Sequence, residues 1–332
     1  MTQEWTAEAL FELTNAYQPA CVLMAAAELD VFAALAERPR TAAELAAAVQ
    51  GDVRATTILA DALAALGLLT KRDGRYSPAP GTLETLTASG TRCILPMLRH
   101  RANCMRSWAQ LAAVVRSGRP ADTVPSILGA EGDLHSFIEA MEVTNREAAA
   151  RLVDALELPA FQHLLDVGGG PATWTIALLR KHGRAWATLY DLPEVIPIAR
   201  RHLETAGLAE RVRLVGGDFT SDEALPPGAD LAWVSAVVHQ NSREENRVLF
   251  GKIHRALAPA GHILIRDIVM DAARTGPVAG ALFAVNMLVR TPGGGTYSLA
   301  ELDEDLQAAG FRHVGLARGA REMDSVVQAM KG

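Results

Sequence analysis

From His163 to Ala172 the chain reads HLLDVGGGPA, an apolar run that ends in an aspartate and three consecutive glycines. A short apolar run closed by a turn signal reads as a buried strand. Glycine has no Cβ, so Gly168, Gly169 and Gly170 can take positive φ and let backbone N–H groups approach a ligand closely. Ala172 to Lys181 reads as a helix, whose N-terminus would turn unpaired N–H groups and the positive end of its dipole into the same space. Strand, glycine turn and helix together make a nucleotide-like ligand site, and the loop alone leaves its type open.

The rest of the second half extends this unit. After Pro159, strand-like runs (AWATLYD, RVRLVGGD, DLAWVSAVV, HILIRDIVM, then FRHVGLA and MDSVVQAM) alternate with helical segments such as Glu194 to Gly207 and Arg243 to Leu257. Such alternation implies an α/β fold: a doubly wound, mostly parallel Rossmann-like sheet. Ligands in these sheets sit outside the carboxyl ends of the strands, where this chain has Asp166, Asp191, Asp218, His239 and Asp267.

The N-terminal part is mainly helical. Leu13 to Leu35 is apolar on most faces, so it belongs in a core or against a partner. Thr41 and Glu44 form a capping box, a helix runs from about Val53 to Leu66 until Gly67 stops it, and LLTKRDGRYSP reads as a hairpin turning at Asp73-Gly74. Helices followed by a hairpin make a winged-helix plan. We expect three regions: 1–95, the winged-helix domain; 96–158, a helical linker and substrate lid; and 159–332, the ligand-binding catalytic domain. Residues 1–100 hold 8 basic and 11 acidic side chains, a net −3, and the whole chain carries −6. Phosphate contacts supply most non-specific DNA affinity, so no nucleic acid partner is expected. Met1 to Glu12 lacks the basic start of a leader, and Pro277 to Val289 is too short and too polar at Asn286 to span a bilayer. No membrane association is expected. Cys21, Cys93 and Cys104 are odd in number and form no CxxC pair, which fits a cytoplasmic protein.

Two cofactor classes compete for the glycine loop. A dinucleotide fingerprint wants GxGxxG, and its last glycine position holds Thr173. Asp166, two residues before the first glycine, would repel a pyrophosphate but suit the ammonium and sulfonium of S-adenosylmethionine. Asp191 then has the place to hold ribose hydroxyls, and Asp218 to accept from the adenine amino group with Phe219 against the ring.

The spaced motifs DVGGGPAT, YDLPEV, GGDF and SAVVHQNS make most of the chain resemble the class I S-adenosylmethionine-dependent O-methyltransferases of the plant caffeate and bacterial hydroxyneurosporene and acetylserotonin type. The resemblance implies cofactor roles for Gly168, Gly170, Asp191, Asp218 and Phe219. Leu192, beside Asp191, and Ser235, at the end of the fourth strand, complete the expected cofactor set with Asp166. It also implies homodimerisation through the N-terminal domain and a small-molecule methyl acceptor.

A phenolic hydroxyl, with pKa ~10, must lose its proton at or before attack on the methyl group, and an imidazole is a suitable general base. In the resembled family the histidine at the position of His239 is that base, followed by Asp-Trp where this chain has Gln240 and Asn241. Asp267 stands where the family has glutamate, as the orienter of the base. A second family glutamate, in an ERT-like motif, is replaced here by GGGTYS, with Thr296 and Tyr297. None of the other histidines has metal-ligand spacing, so no metal is expected. Acceptor contacts are expected from Trp108, Met141, Asn286, Met287, Arg290 and Tyr297. Transfer to carbon or nitrogen, and a winged-helix regulator that senses S-adenosylmethionine, stay open at this level.

Overall fold

The structure is a computed structural model that describes residues 5–332. Met1 to Glu4, the start of the stretch expected to lack a leader, lie outside the described residues. The chain divides into two compact units, one made of the residues up to Arg106 with Val124–Val143, the other of Ser107–Thr123 with Thr144–Gly332.

The first unit begins with α1 (Ala7–Asn15), α2 (Tyr17–Glu28) and α3 (Val31–Ala34). The apolar stretch from Leu13 to Leu35 is therefore not one helix. It breaks after Asn15 and again at Asp30, which takes a left-handed φ of 52° once the Leu29 N–H has closed α2 on Ala25. Its C-terminal part is core: Met24, Ala26, Ala27, Val31, Phe32 and Leu35 are buried. Its N-terminal part is not, and Leu13 and Tyr17 are exposed together with Trp5, Leu10 and Phe11.

Strand β1 (Arg40–Thr41), helices α4 (Ala42–Ala48) and α5 (Val53–Ala65), and the hairpin β2 (Leu69–Arg72) and β3 (Arg75–Pro78) follow, with strands in the order β1-β3-β2. The capping box is present, Glu44 N–H donating to Thr41 Oγ1 at 3.2 Å and Thr41 N–H to Glu44 Oε2 at 2.7 Å. Asp73 and Gly74 both have positive φ, as a two-residue hairpin turn of the primed kind requires. Helices α6 (Thr82–Leu86), α7 (Leu95–Trp108), α8 (Leu111–Ser117) and α9 (Gly129–Ala155) lead on.

In the second unit β4 (His163–Val167), α10 (Thr173–Lys181), β5 (Trp186–Asp191), α11 (Ile196–Thr205), β6 (Val212–Gly216), β7 (Ala229–Ser235), α12 (Arg243–Ala256) and β8 (Leu257–Asp267) alternate as expected. After the short β9 (Val269–Met270), α13 (Val278–Arg290), β10 (Tyr297–Ser298) and α14 (Leu299–Ala308), the strands β11 (Phe311–Arg318) and β12 (Ser325–Lys331) end the fold. The sheet runs β11-β12-β8-β7-β4-β5-β6, parallel from β8 to β6, with β12 antiparallel to both its neighbours. Both faces are covered, which is why its central strands are apolar at consecutive positions. Leu165, Val167, Val234 and Ile265 pack with Phe250 of α12 and Leu306 of α14. Leu164, Trp233 and Leu264 pack with Leu178 of α10 and Leu203 of α11 on the opposite face.

The expected boundaries near 95 and 158 do not coincide with this division. The segment 107–123 joins the sheet-containing unit because α8 packs on α13, where Ala121 N–H donates to the Val289 carbonyl at 3.0 Å. Among the described residues no helix is long and apolar enough to cross a membrane.

Candidate active site

The glycine turn is shaped by close approach. Gly168 and Gly170 have φ of 68° and 53°, and Gly168 N–H donates to the Tyr190 carbonyl at 2.8 Å. A Cβ on Gly168 would lie 2.7 Å from Val237, and one on Gly169 2.6 Å from Leu189 and 3.0 Å from the Asp166 carboxyl carbon. The turn thus rests directly on β5 and on the segment that follows β7. Ala172, the N-cap of α10, also takes a left-handed φ of 66°, a conformation that costs roughly 1–2 kcal/mol in a residue with a Cβ.

Asp166 lies under this turn and is 1% exposed. Its Oδ2 accepts the Thr175 hydroxyl of α10 at 2.5 Å, so the carboxyl ties strand to helix and shows little surface to a ligand. Burial pushes its pKa up to about 7 against the pull of that hydrogen bond. A carboxyl that holds its proton more tightly when folded contributes stability at pH below its unfolded value of ~3.9, and loses it as pH rises toward the folded value. Asp166→Asn, which keeps an acceptor for Thr175, should abolish the part of the fall in melting temperature that wild type shows between pH 4 and pH 8. Identical pH dependence of the two melting temperatures would remove Asp166 as its source.

Asp191 ends β5 and anchors the turn from the other side. Its Oδ2 accepts the Gly170 N–H at 2.7 Å and its Oδ1 the Leu192 N–H at 2.7 Å. Burial raises its pKa, partly opposed by those two donors. Asp218 lies two residues beyond β6, and its Oδ1 accepts from the Thr220 hydroxyl at 2.7 Å and the Thr220 N–H at 2.8 Å, which lower its pKa. Phe219 is half-buried against the core, and its carbonyl accepts from the buried Lys252 ammonium of α12 at 2.7 Å. Ser235 receives Arg266 Nη1 at 3.2 Å. Arg266 does not pair with Asp267: alternation along β8 sends it to the other face, where it binds Asp324 at 2.7 Å and stacks 4.3 Å from the Trp174 ring.

His239 sits not on β7 itself but on a short 3₁₀ turn, Val238–Gln240, reached through Ala236 at a φ of 58°. Its Nδ1 is 2.9 Å from both oxygens of Asp267, and both residues are buried. The carboxylate assigns the proton to Nδ1 and leaves Nε2 as the nitrogen with a lone pair. Asp267 Oδ1 also accepts the Ile268 N–H at 2.8 Å. Aspartate therefore reaches the imidazole although it is one carbon shorter than the family glutamate. Phe283 of α13 stands edge-on to the ring, 4.7 Å between centroids.

On the expected acceptor side, Asn286 Oδ1 accepts the Trp108 indole N–H at 2.9 Å, so these two are brought together. Met287 is buried and Arg290 exposed on the same helix. Met141 is half-buried on α9 in the first unit. Tyr297 is buried, its ring in the core and its hydroxyl donating to the Asn241 carbonyl. Burial pushes that hydroxyl's pKa up to about 12. Phe283 was legible, since it stands three residues before Asn286 and shares its helix face. Thr175 and Lys252 carried no signal, because only the folded chain brings them to Asp166 and Phe219.

The site fits S-adenosylmethionine better than a dinucleotide. Asp191 and Asp218 present acceptors for hydroxyl and amino groups where a pyrophosphate would meet negative charge. The Thr173 hydroxyl at the start of α10 is buried without a hydrogen-bond partner, and such a group calls for a polar ligand or an ordered water. Among the described residues no group of three or more His, Cys, Asp and Glu side chains is placed to hold a metal ion.

A parallel sheet reversed only at β12, with a glycine turn after its first strand and carboxylates after the next two, defines a class I S-adenosylmethionine-dependent methyltransferase. The chain matches an O-methyltransferase domain over residues 108–312 and an O-methyltransferase dimerisation domain over residues 11–82, and it belongs to the O-methyltransferase family. It is 31% identical to the tetracenomycin polyketide synthesis 8-O-methyl transferase of Streptomyces glaucescens, over 92% of this chain and 91% of that protein. To the 3-hydroxy-5-methyl-1-naphthoate 3-O-methyltransferase of Streptomyces sahachiroi it is 32% identical, over 90% of this chain and 87% of that protein. The structure of human N-acetylserotonin methyltransferase in complex with S-adenosylmethionine superposes with a TM-score of 0.81 at 28% identity, covering 100% of both chains. The protein is an S-adenosylmethionine-dependent O-methyltransferase.

Proposed function

We infer that this enzyme methylates a hydroxyl on a small aromatic or polyketide-like secondary metabolite, with His239 as general base. The observation that carries the reading is the buried His239–Asp267 pair, on a segment whose Val237 packs against the glycine turn. When bound, S-adenosylmethionine supplies a methyl group on a positively charged sulfur. Gly168, Gly170, Asp191, Leu192, Asp218 and Phe219 hold that cofactor, with Asp166 and Ser235 behind them. His239 Nε2 takes the acceptor's hydroxyl proton, and Asp267 stabilises the imidazolium that forms. The pocket's remaining task would be to hold the acceptor oxygen close to the bound methyl donor, since proximity and orientation do much of the work in such a transfer. Trp108 and Asn286 orient the acceptor, with Met287 and Arg290 on the same helix as Asn286.

The exposed apolar side chains Trp5, Leu10, Phe11, Leu13 and Tyr17 are read as surface covered by a second copy, making the enzyme a homodimer. With its acidic N-terminal unit the protein is read as free of nucleic acid, and with three cysteines and no CxxC pair as cytoplasmic.

The test uses S-adenosylmethionine labelled in its methyl group, with 3-hydroxy-1-naphthoate, N-acetylserotonin and their O-blocked analogues as probes, and mass spectrometry of the products. A labelled methyl ether from a free hydroxyl, absent from the blocked analogues, is the expected result. Label on carbon or nitrogen in the blocked analogues would overturn oxygen as the acceptor atom.

A further inference from the structure

The turn that carries His239 has only short-range hydrogen bonds of its own, from the Gln240 N–H to the Val237 carbonyl at 2.9 Å, from the Asn241 N–H to the Val238 carbonyl at 3.4 Å and from Gln240 Nε2 to the Ala236 carbonyl at 3.0 Å. Three residues of 3₁₀ helix leave most of their carbonyls unpaired within the turn, and it is entered through a left-handed alanine. Each of three carbonyls on this stretch is nevertheless taken by a donor from a different element. The Val238 carbonyl accepts from Asn246 Nδ2 of α12 at 2.9 Å. The His239 carbonyl accepts from the Gly295 N–H at 2.9 Å. The Asn241 carbonyl accepts from the Tyr297 hydroxyl.

Asn246 is fully buried, and its Oδ1 accepts from Asn241 Nδ2 at 3.1 Å, which fixes the orientation of both amides. Tyr297 pairs with Val269, two residues past Asp267, through the parallel β9-β10 ladder. The same tyrosine therefore touches Asn241, which closes the turn bearing the base, and β9, the short strand that follows the one bearing its carboxylate partner. Glycine at 294 makes the approach possible: a Cβ there would lie 2.5 Å from the His239 carbonyl oxygen and 2.9 Å from that of Gln240, besides crowding the Thr291 hydroxyl.

We propose that Asn246, Gly294, Gly295 and Tyr297 form a backbone clamp that positions His239 against Asp267. The proposal rests on His239 being the base. The clamp residues are positioning residues: they touch the turn, and through it they set where Nδ1 meets Asp267 and where Nε2 points.

Two variants of the full chain test this, Tyr297→Phe, which removes one hydroxyl, and Gly294→Ala, which pushes on two carbonyls. The first readout needs no acceptor. In protein labelled with ¹⁵N-histidine, the Nδ1–H of His239 should be a slowly exchanging, hydrogen-bonded resonance in wild type and should be lost to solvent exchange in both variants. The second is turnover of the acceptor found with labelled cofactor. A shift of about 1 Å in a catalytic group lowers rate by ~10²-fold, so Gly294→Ala should lose about that factor and Tyr297→Phe about 10-fold, with the KM for S-adenosylmethionine unchanged. In a His239→Ala background neither substitution should lower the residual rate further. Should Gly294→Ala fail to fold, Tyr297→Phe decides alone. A persistent Nδ1–H resonance together with wild-type turnover would overturn the clamp and leave the base assignment standing. An equal loss of rate with and without His239 would overturn it as well. Wild-type turnover by His239→Ala would instead overturn the base assignment, while the resonance still reports on the clamp.

Discussion

His239→Ala should lower turnover by about 10²–10⁴-fold, the usual contribution of a positioned general base, and leave the affinity for S-adenosylhomocysteine unchanged. The separation of the two effects follows from the geometry. His239 Nδ1 is engaged by Asp267 and the ring is flanked by Phe283, whereas the glycine turn is held by Asp191 and Tyr190. The substitution also strips a 2%-exposed carboxylate of its imidazole partner and leaves it the Ile268 N–H alone. A buried group deprived of a partner costs ~1–3 kcal/mol, so the melting temperature should fall too, and rates must be compared well below it. Asp267→Asn should lower turnover by a smaller factor, since the ring loses the partner that fixes its tautomer. Unchanged turnover in His239→Ala would remove the residue from the chemistry.

The sheet was legible because each strand carries its own local evidence. Buried on both faces, β4, β7 and β8 read as continuous apolar runs, and the acidic residues and glycines that end the strands mark where the chain leaves the core. The capping box at Thr41 and the Asp73-Gly74 turn were legible for the same reason, being interactions within four residues. Asp191 and Asp267, both expected at strand ends, are found there, since the apolar runs before them mark where each strand stops. What stayed hidden depends on long-range packing. The bond from the Tyr297 hydroxyl to the Asn241 carbonyl, 56 residues earlier in the chain, exists only in the folded protein. The break at Asp30 was hidden because the flanking alanines and leucines favour helix on both sides. The placement of 107–123 depends on α8 meeting α13, which no local pattern encodes.

Asp191→Ala should weaken S-adenosylhomocysteine binding by about 10²–10⁴-fold. The carboxylate has two tasks, and the substitution removes both. It anchors the glycine turn through the Gly170 N–H at 2.7 Å, and on the proposed reading it accepts from the ribose hydroxyls. Hydrogen bonds to a charged group contribute ~1.5–3 kcal/mol each, and two of them correspond to the stated loss at ~1.4 kcal/mol per tenfold. Asp191→Asn, which keeps one acceptor oxygen, should fall between. The same carboxylate gives binding a pH dependence of definite sign. Burial raises its pKa, and the ionised form, the better acceptor, exists above that value. Affinity should therefore hold at alkaline pH and fall on acidification sooner than an ordinary aspartate would allow. In Asp191→Ala that acid-side fall should vanish, so calorimetric titrations at pH 5 and pH 8 distinguish loss of the acceptor from general damage to the turn. Wild-type affinity in Asp191→Ala at both pH values would mean that the nucleoside is held by other residues, and that the glycine turn keeps its shape through Gly168 and Tyr190 alone.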